Sequence, residues 1–419
     1  EAAALASQPI PKEAYQNRLD LRDACIFTID SAESKDLDDA VSVERIPNGY
    51  RLGVHIADVS HYVKPHSALD KEALERGTSL YYADQVIPML PKALSNGICS
   101  LNPQEDRLAF SAIMELDNQG VLRSYTFRKS IIRSKVKGVY KEINALLDGT
   151  ADAALQEKYA EVLDMLPLLN ELCDKRLCLR KQRGAPEIET PESKILLNAD
   201  GICVDVQPRT RGKSECIIEE MMLLANESAA RVAKEHALPF VYRVHDLPDP
   251  DKMASFAAFI TRFGYKIKTE GSKADLSKGI NSLLANVQGK PEENLVETIA
   301  IRAMAKAVYT TVNIGHYGLS FDYYTHFTSP IRRYPDLMVH RLLERYMAGG
   351  RSVNVQSLED ECKHASDMEQ LAANAERASI KYKQVEFMGE RLGEEYDGVI
   401  SGITEWGLYV EINENKCEG

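Results

Sequence analysis

Thr28-Ile29-Asp30-Ser31-Ala32-Glu33-Ser34-Lys35-Asp36-Leu37-Asp38-Asp39-Ala40 sets four aspartates within ten residues, between the apolar lead-in Ile26, Phe27, Ile29 and the strand-like run Val41, Val43, Ile46. In an extended chain Asp36 and Asp38 share one face and Asp39 takes the other. Four carboxylates this close repel, and burying them without a counter-ion drives several to take up protons. A hard divalent cation removes the conflict, because magnesium prefers a few carboxylate oxygens plus water and substrate phosphate. The competing reading is a solvated turn, since Asp and Ser are common turn formers. A calcium loop of the EF-hand kind is excluded: its glycine and its closing glutamate are both missing.

Outward from this stretch the pattern is mixed. Residues 40–46 and 50–59 alternate on either side of Asn48-Gly49, a strong hairpin signal. A short helix is expected over 69–77, and a second strand pair over 109–116 and 121–132 around Asp117-Asn118-Gln119-Gly120. Residues 140–183 read as helical, and 187–206 as strands broken at 198–201. Helices are expected over 214–236, 250–263, 292–311, 335–347 and 357–392, then strands again over 394–412. Residues 1–24, polar with two prolines, read as a linker or lead-in. The start at Glu1 without methionine and the stop at Gly419 suggest sequence missing at both ends.

Composition narrows the class. An apolar share of 44% and a charged share of 27% over 419 residues fit two or three globular domains, or one large domain with an appendage. No apolar run approaches the roughly 18 to 20 residues that span a bilayer. The eight cysteines are scattered without a CxxC pair, which points to reduced thiols, a cytoplasmic location and no zinc. A net charge of -12 argues against a binder of phosphate backbones, yet a groove needs only a local field. Residues 123–142 supply Arg123, Arg128, Lys129, Arg133, Lys135, Lys137 and Lys141 against Glu142 alone, a basic stripe on an acidic protein.

Thr328-Ser329-Pro330-Ile331-Arg332-Arg333-Tyr334-Pro335-Asp336 puts two arginines ahead of a proline-started helix, where the helix's positive end and two guanidinium forks suit phosphate. The alternative is a pair of helix-start arginines in surface salt bridges. Tyr81 and Tyr82 offer a base-stacking surface, or one core and one surface residue. The segments 88–91 and 94–103 read as rigid structural loops. His55, His61, His245 and His326, with no HExxH and no neighbouring nucleophile, are expected to be structural or to support other groups.

Together these motifs resemble the RNase II/RNase R family of 3'-to-5' exoribonucleases. Five stretches carry the resemblance in family order: TIDSAESKDLDDA (28–40), LGVHIADVSHYV (52–63), IPMLPKALSNGICSLNPQEDRLAFS (87–111), IIEEMMLLAN (217–226) and HFTSPIRRYPDLMVHRLL (326–343). The wording SNGICSLNP and SPIRRYPDL is closer to the RNase R branch. The resemblance implies an α+β fold: an RNB-type catalytic domain over 25–392, its sheets flanked by helices around an RNA channel. Residues 394–419 would then open a C-terminal oligonucleotide-binding barrel, and the N-terminal cold-shock-like barrels would be missing. It implies Asp30, Asp36 and Asp39 as magnesium (or manganese) ligands, with Asp38 and Arg332 catalytic. Tyr81 would stack on the last base and set the product length. Tyr140 with Glu219 or Glu220 would check the ribose, Glu369 is a looser match near the 3' nucleotide, and Arg333 would join the RNA-binding set. Leu37 stands where many members have phenylalanine, a change expected to affect packing only.

The expected activity is processive hydrolysis of single-stranded RNA to 5'-nucleoside monophosphates by metal-activated water, in a monomer away from membranes. The rival from another class is a non-catalytic RNA-binding protein on the same fold, which would be expected to lack some of the quartet or the arginine. A small-molecule phosphodiesterase would need neither the tyrosines nor the basic stripe.

Overall fold

In the computed structural model, which describes residues 1–186 and 193–419, the Asn48-Gly49 turn joins the strands Asp39–Ile46 and Gly49–Ala57. Gly49 is required there: at φ +149° a Cβ would lie 1.9 Å from the Leu116 carbonyl oxygen of the next strand. These two strands edge a five-stranded sheet in the order Leu19–Leu21, Leu122–Arg133, Asp106–Asp117, Gly49–Ala57, Asp39–Ile46. All pairs are antiparallel except the first, where Leu19 lies parallel beside Ser130. Residues 1–24 therefore contribute an edge strand to the sheet.

Alternation along the strands gives the sheet two unlike faces. Val41, Val43, Leu52, Val54, Ile56, Phe110, Ala112, Met114 and Phe127 are buried in the main core. Ring contacts carry this core onto the helix Tyr334–Met347: Phe110 meets Phe327 at 5.5 Å and His340 at 5.3 Å. The helices Met165–Arg183 and Lys213–Glu235 close the same side. Glu44, Arg51 and Glu115, on the other face, are joined by exposed ion pairs.

A second core belongs to three helices, Pro250–Thr261, Lys273–Val287 and Glu293–Ala303, packed through Phe256, Ile260, Ile280, Val287 and Val296. The middle one escapes the periodicity reading, although Ser272 and Asp275 form a capping box at its start. The helix expected over 292–311 stops at Ala303. Val308–Thr310 is instead a strand paired with Tyr242–Val244, a tertiary contact overriding local pattern. The helical stretch 140–183 divides into Tyr140–Leu147, Ala153–Lys158 and Met165–Arg183. Of the strands expected over 187–206, residues 187–192 lie outside the described residues, while Ser193–Leu197 and Cys203–Pro208 form a hairpin. The tail forms one antiparallel hairpin, Gly398–Thr404 with Gly407–Ile412. None of the eight cysteines is in a disulfide. Among the described residues no helix is long and apolar enough to cross a membrane.

Candidate active site

The acidic loop is held by strands at both ends. Thr28–Asp30 lies parallel to Lys137–Val139, and Asp39 opens the strand Asp39–Ile46. Between them the backbone is stitched down: the Ala57 N–H donates to the Asp38 carbonyl and the Leu101 N–H to that of Leu37. The Ser100 hydroxyl accepts from the Leu37 N–H at 2.9 Å and donates to the Lys35 carbonyl at 2.8 Å, bracketing Asp36. Lys137 Nζ donates to the carbonyls of Ala32 and Ser34, 2.9 and 2.5 Å away. Leu37 is fully buried, in keeping with a packing role. Neither Ser100 nor Lys137 was singled out for this role by sequence; the SNGICSLNP loop, read as structural, is the seat of the acidic loop.

The second half of the site comes from far along the chain. The Ile331 N–H donates to Asp38 Oδ1 at 2.8 Å, and Arg332 Nε stands 4.0 Å from Asp38 Oδ2. The turn before the helix Tyr334–Met347 is fixed by Asp336, whose Oδ1 accepts from the Ser329 N–H (2.7 Å) and from Arg333 Nη2 (2.8 Å). Asn226, the last residue of the IIEEMMLLAN stretch, accepts from the Phe327 N–H at 2.7 Å and so holds the same segment from the other side. The Arg332 carbonyl in turn accepts from Ser79 N–H and the Thr78 hydroxyl. This link brings the strand Leu80–Tyr81 to the aspartates, and the Tyr81 hydroxyl lies 3.5 Å from Asp36 Oδ2.

The structure thus gathers Asp30, Asp36, Asp38, Asp39, Arg332 and Tyr81. Tyr140 starts the helix that follows the strand beside Asp30, and its hydroxyl is pushed up by burial and by the charges of Asp30 and Asp39. Glu219 and Glu220 both pair with Arg180, and Glu219 also with Arg211. Glu369 grips Arg243 with both oxygens, at 2.6 and 2.9 Å. Arg333, its side chain 17% exposed, pairs with Asp336 and so helps to brace the turn. The basic stripe is partly engaged by other groups. Arg123 pairs with Asp117, Lys129 with the buried Asp58, Arg133 with Asp106, and Lys137 ties down the acidic loop. Those four are engaged by acids and carbonyls distant in sequence or on the neighbouring turn, while Arg128 and Lys141 stay exposed. Among the described residues Arg332, 42% exposed, has as an ion pair only the 4.0 Å approach to Asp38.

Electrostatically the acids are frustrated. Burial, then the charges of Asp39 and Asp36, push Asp30 up to about 8. Burial pushes Asp39 up to about 6 against the pull of Arg332 and Arg333. Asp38 is raised well above the usual carboxylate range, chiefly by burial. Asp38 Oδ2 and Asp39 Oδ2 are buried without a hydrogen-bond partner. Among the described residues no three His, Cys, Asp or Glu side chains form a ready-made metal cage. Magnesium needs none, since one or two carboxylates with water and substrate phosphate complete its shell. Two orphaned buried carboxylate oxygens beside a repelled neighbour fit such a cation.

The sign of the resulting pH dependence is fixed. Asp30 and Asp39 are raised, so the folded protein keeps protons that the unfolded chain gives up above about 4. Metal-free stability from these groups is full below that range and falls as pH rises through about 6 and then about 8. A cation must displace the same protons, so magnesium affinity should climb from pH 6 to 8 and then level off. Calorimetry in buffers of different ionisation enthalpy should show proton release on binding at pH 7. An affinity flat across this range would contradict the assignment.

An acidic cluster facing the half-exposed Arg332 suits phosphate chemistry, and the comparisons agree on its family. The RNB domain model matches residues 18–349, and the chain belongs to that family. It is similar to Ribonuclease R 1 of Lactococcus lactis, 43% identical over the whole of this chain and 52% of that protein. Its fold is similar to Mycoplasma genitalium RNase R in complex with ribose-methylated single-stranded RNA: TM-score 0.92, 31% identity, 100% of this chain and 66% of that one. Yeast Ssd1, described as a pseudonuclease, also shares the fold over 98% of this chain and 51% of its own (TM-score 0.78), at 20% identity. The chain spans about half the length of the curated relatives it matches.

Proposed function

We propose that this chain is the catalytic part of a hydrolytic 3'-to-5' exoribonuclease, threading single-stranded RNA and releasing 5'-nucleoside monophosphates. The observation that carries the reading is Asp38: buried, aimed by the Ile331 N–H, with an unpartnered oxygen turned toward Arg332. A divalent cation, magnesium or manganese, would be held by Asp30, Asp36 and Asp39 and would supply a nucleophilic water near neutral pH. Arg332 stabilises negative charge growing on the scissile phosphate, its guanidinium 42% exposed and only loosely approached by Asp38 at 4.0 Å. Asp38, aimed by the Ile331 N–H, takes the proton that the attacking water gives up. Tyr140, with Glu219 or Glu220, checks the 2'-hydroxyl that separates RNA from DNA. Glu369 sits further along the strand's path, and residues 394–419 begin an RNA-binding barrel.

The deciding experiment incubates a 5'-labelled single-stranded RNA with excess magnesium beside a DNA of the same sequence. A short limit product from RNA, with monophosphates released and DNA intact, is the expected result. Tight RNA binding with no cleavage in either metal would favour a binding protein on this fold, as the likeness to a pseudonuclease allows. Here the whole quartet and Arg332 are present, which favours catalysis.

Tyr81 offers a finer test. Base stacking contributes about 1–3 kcal/mol per base. Tyr81→Ala should lengthen the limit product by some nucleotides while leaving early cleavage rates close to wild type. A gel ladder ending at the same length would remove Tyr81 from the stacking role.

A further inference from the structure

Of the four aspartates, Asp36 is the one that neither a strand nor the Ile331 turn holds. Asp30 ends the strand Thr28–Asp30, Asp39 begins the strand Asp39–Ile46, and Asp38 accepts from the Ile331 N–H. Asp36 stands in the irregular stretch between those strands, facing the charges of Asp30 and Asp38. Its carboxylate has one hydrogen-bond contact among the described residues, the Tyr81 hydroxyl at 3.5 Å. Left to itself, such a loop swings its most loosely tied acid outward, because distance relieves like-charge repulsion. Lys137 ties the first half of the loop, at Ala32 and Ser34; around Asp36 the ties come from Ser100 and Leu101. The fully buried Ser100 hydroxyl has one proton and two acceptors in range, the Lys35 carbonyl at 2.8 Å and Asn102 Oδ1 at 3.2 Å, and the nearer takes it. The same oxygen receives the Leu37 N–H at 2.9 Å, and the Leu101 N–H reaches the Leu37 carbonyl at 2.9 Å. Three hydrogen bonds thus fix the backbone on both sides of Asp36.

Ser100 is itself anchored. Its carbonyl accepts from Arg107 Nε at 2.8 Å, and Arg107, near the start of the central strand Asp106–Asp117, is buried and paired with Glu105. The route from sheet to acid therefore runs through Arg107, Ser100 and the backbone of Lys35 and Leu37. A ligand held in place beforehand does not have to be ordered, or pushed against its neighbours, as the cation binds, so affinity rises. We propose that Ser100, braced by Arg107, is a positioning residue for the metal centre. It holds Asp36 beside the other acids before a divalent cation binds and so raises the affinity for that cation, while taking no part in the chemical step. This rests on the metal-dependent reading above, with Asp36 as a ligand.

The test titrates the whole RNA-free chain with magnesium chloride by calorimetry at pH 8, for wild type, Ser100→Ala, Asp36→Asn and the double variant. Ser100→Ala should bind magnesium about tenfold more weakly, the loss typical of a group that orients a metal ligand. Asp36→Asn removes the ligand that Ser100 positions, so Ser100→Ala should cost nothing further in that background. With saturating magnesium, cleavage by Ser100→Ala should stay within about threefold of wild type, while the magnesium needed for half the maximal rate rises about tenfold. Mere destabilisation gives a different pattern: Phe256→Leu, in the separate three-helix core, should melt early yet keep wild-type magnesium affinity. If Ser100→Ala does not fold, Ser100→Cys, close in size with a weaker donor and acceptor, carries the same cycle with a smaller loss expected. Unchanged magnesium affinity in the Ser100 variant that folds overturns the assignment and leaves the metal reading standing. An equal loss with and without Asp36 overturns it too, and makes Ser100 a general prop of the fold. Wild type that binds neither magnesium nor manganese would overturn the metal reading itself, and this role with it.

Discussion

Asp38→Asn is expected to lower the cleavage rate by about 10³-fold or more while RNA binding stays the same or tightens. The substitution is nearly isosteric, and its amide oxygen can still accept from the Ile331 N–H, so the Ile331–Arg332 turn keeps its place. What changes is the second atom. A carboxylate oxygen 4.0 Å from Arg332 Nε becomes an NH2 group, which cannot take a proton and faces a cation as a donor. Losing a negative charge beside the path of a polyanion favours binding if it does anything. Stability should separate from activity in the same direction. The folded protein raises Asp38, so its contribution to stability is full below about 4 and is lost as pH rises through the higher folded value. Asparagine has no such loss. The variant should melt like wild type at low pH and above it in alkaline, metal-free buffer. Thermal scans at two pH values and a single-turnover assay check both halves; a drop in affinity matching the drop in rate would assign Asp38 to binding instead.

Much of this site is legible in the sequence because it is local. The four aspartates lie in one short loop, and their repulsion is arithmetic on spacing. The Asn48-Gly49 turn announces the hairpin beside it. What joins that loop to the rest is not local. Asp38 and Ile331 are 293 positions apart. Their hydrogen bond is made by a backbone N–H, which leaves no trace in residue identity. Leu19–Leu21 and Thr28–Asp30 are three-residue strands paired in parallel with partners beyond residue 129, too short to show a period. Charge runs mislead for a related reason. Arg123, Lys129 and Arg133 look like a free stripe in the sequence, but folding brings Asp117, Asp58 and Asp106 to them. Serine 100 is the opposite case: an unremarked hydroxyl whose two hydrogen bonds determine where Asp36 can stand.

Arg333 and Asp336 allow the scaffold to be tested apart from the chemistry. Asp336 is fully buried, and Asp336→Ala would strand Arg333 inside the protein and free the Ser329 N–H. Removing one partner of a buried pair costs about 3–5 kcal/mol. The melting temperature should fall sharply. Activity should fall with it, even well below the melting range, because the turn that aims Arg332 and the Ile331 N–H loses its anchor. Replacing the pair together by apolar residues of similar size, Arg333→Met with Asp336→Leu, leaves no buried charge uncompensated and is often neutral for stability. The double variant should therefore melt well above Asp336→Ala, short of wild type by the roughly 1–3 kcal/mol of an unpaired buried Ser329 N–H. Cleavage should recover only in part, because leucine cannot accept from the Ser329 N–H and the turn stays without that anchor, while RNA affinity should stay near wild type if Arg333 only braces the turn. A double variant that is stable yet still inactive, with RNA affinity reduced, would return Arg333 to the RNA-binding surface where its sequence motif first placed it.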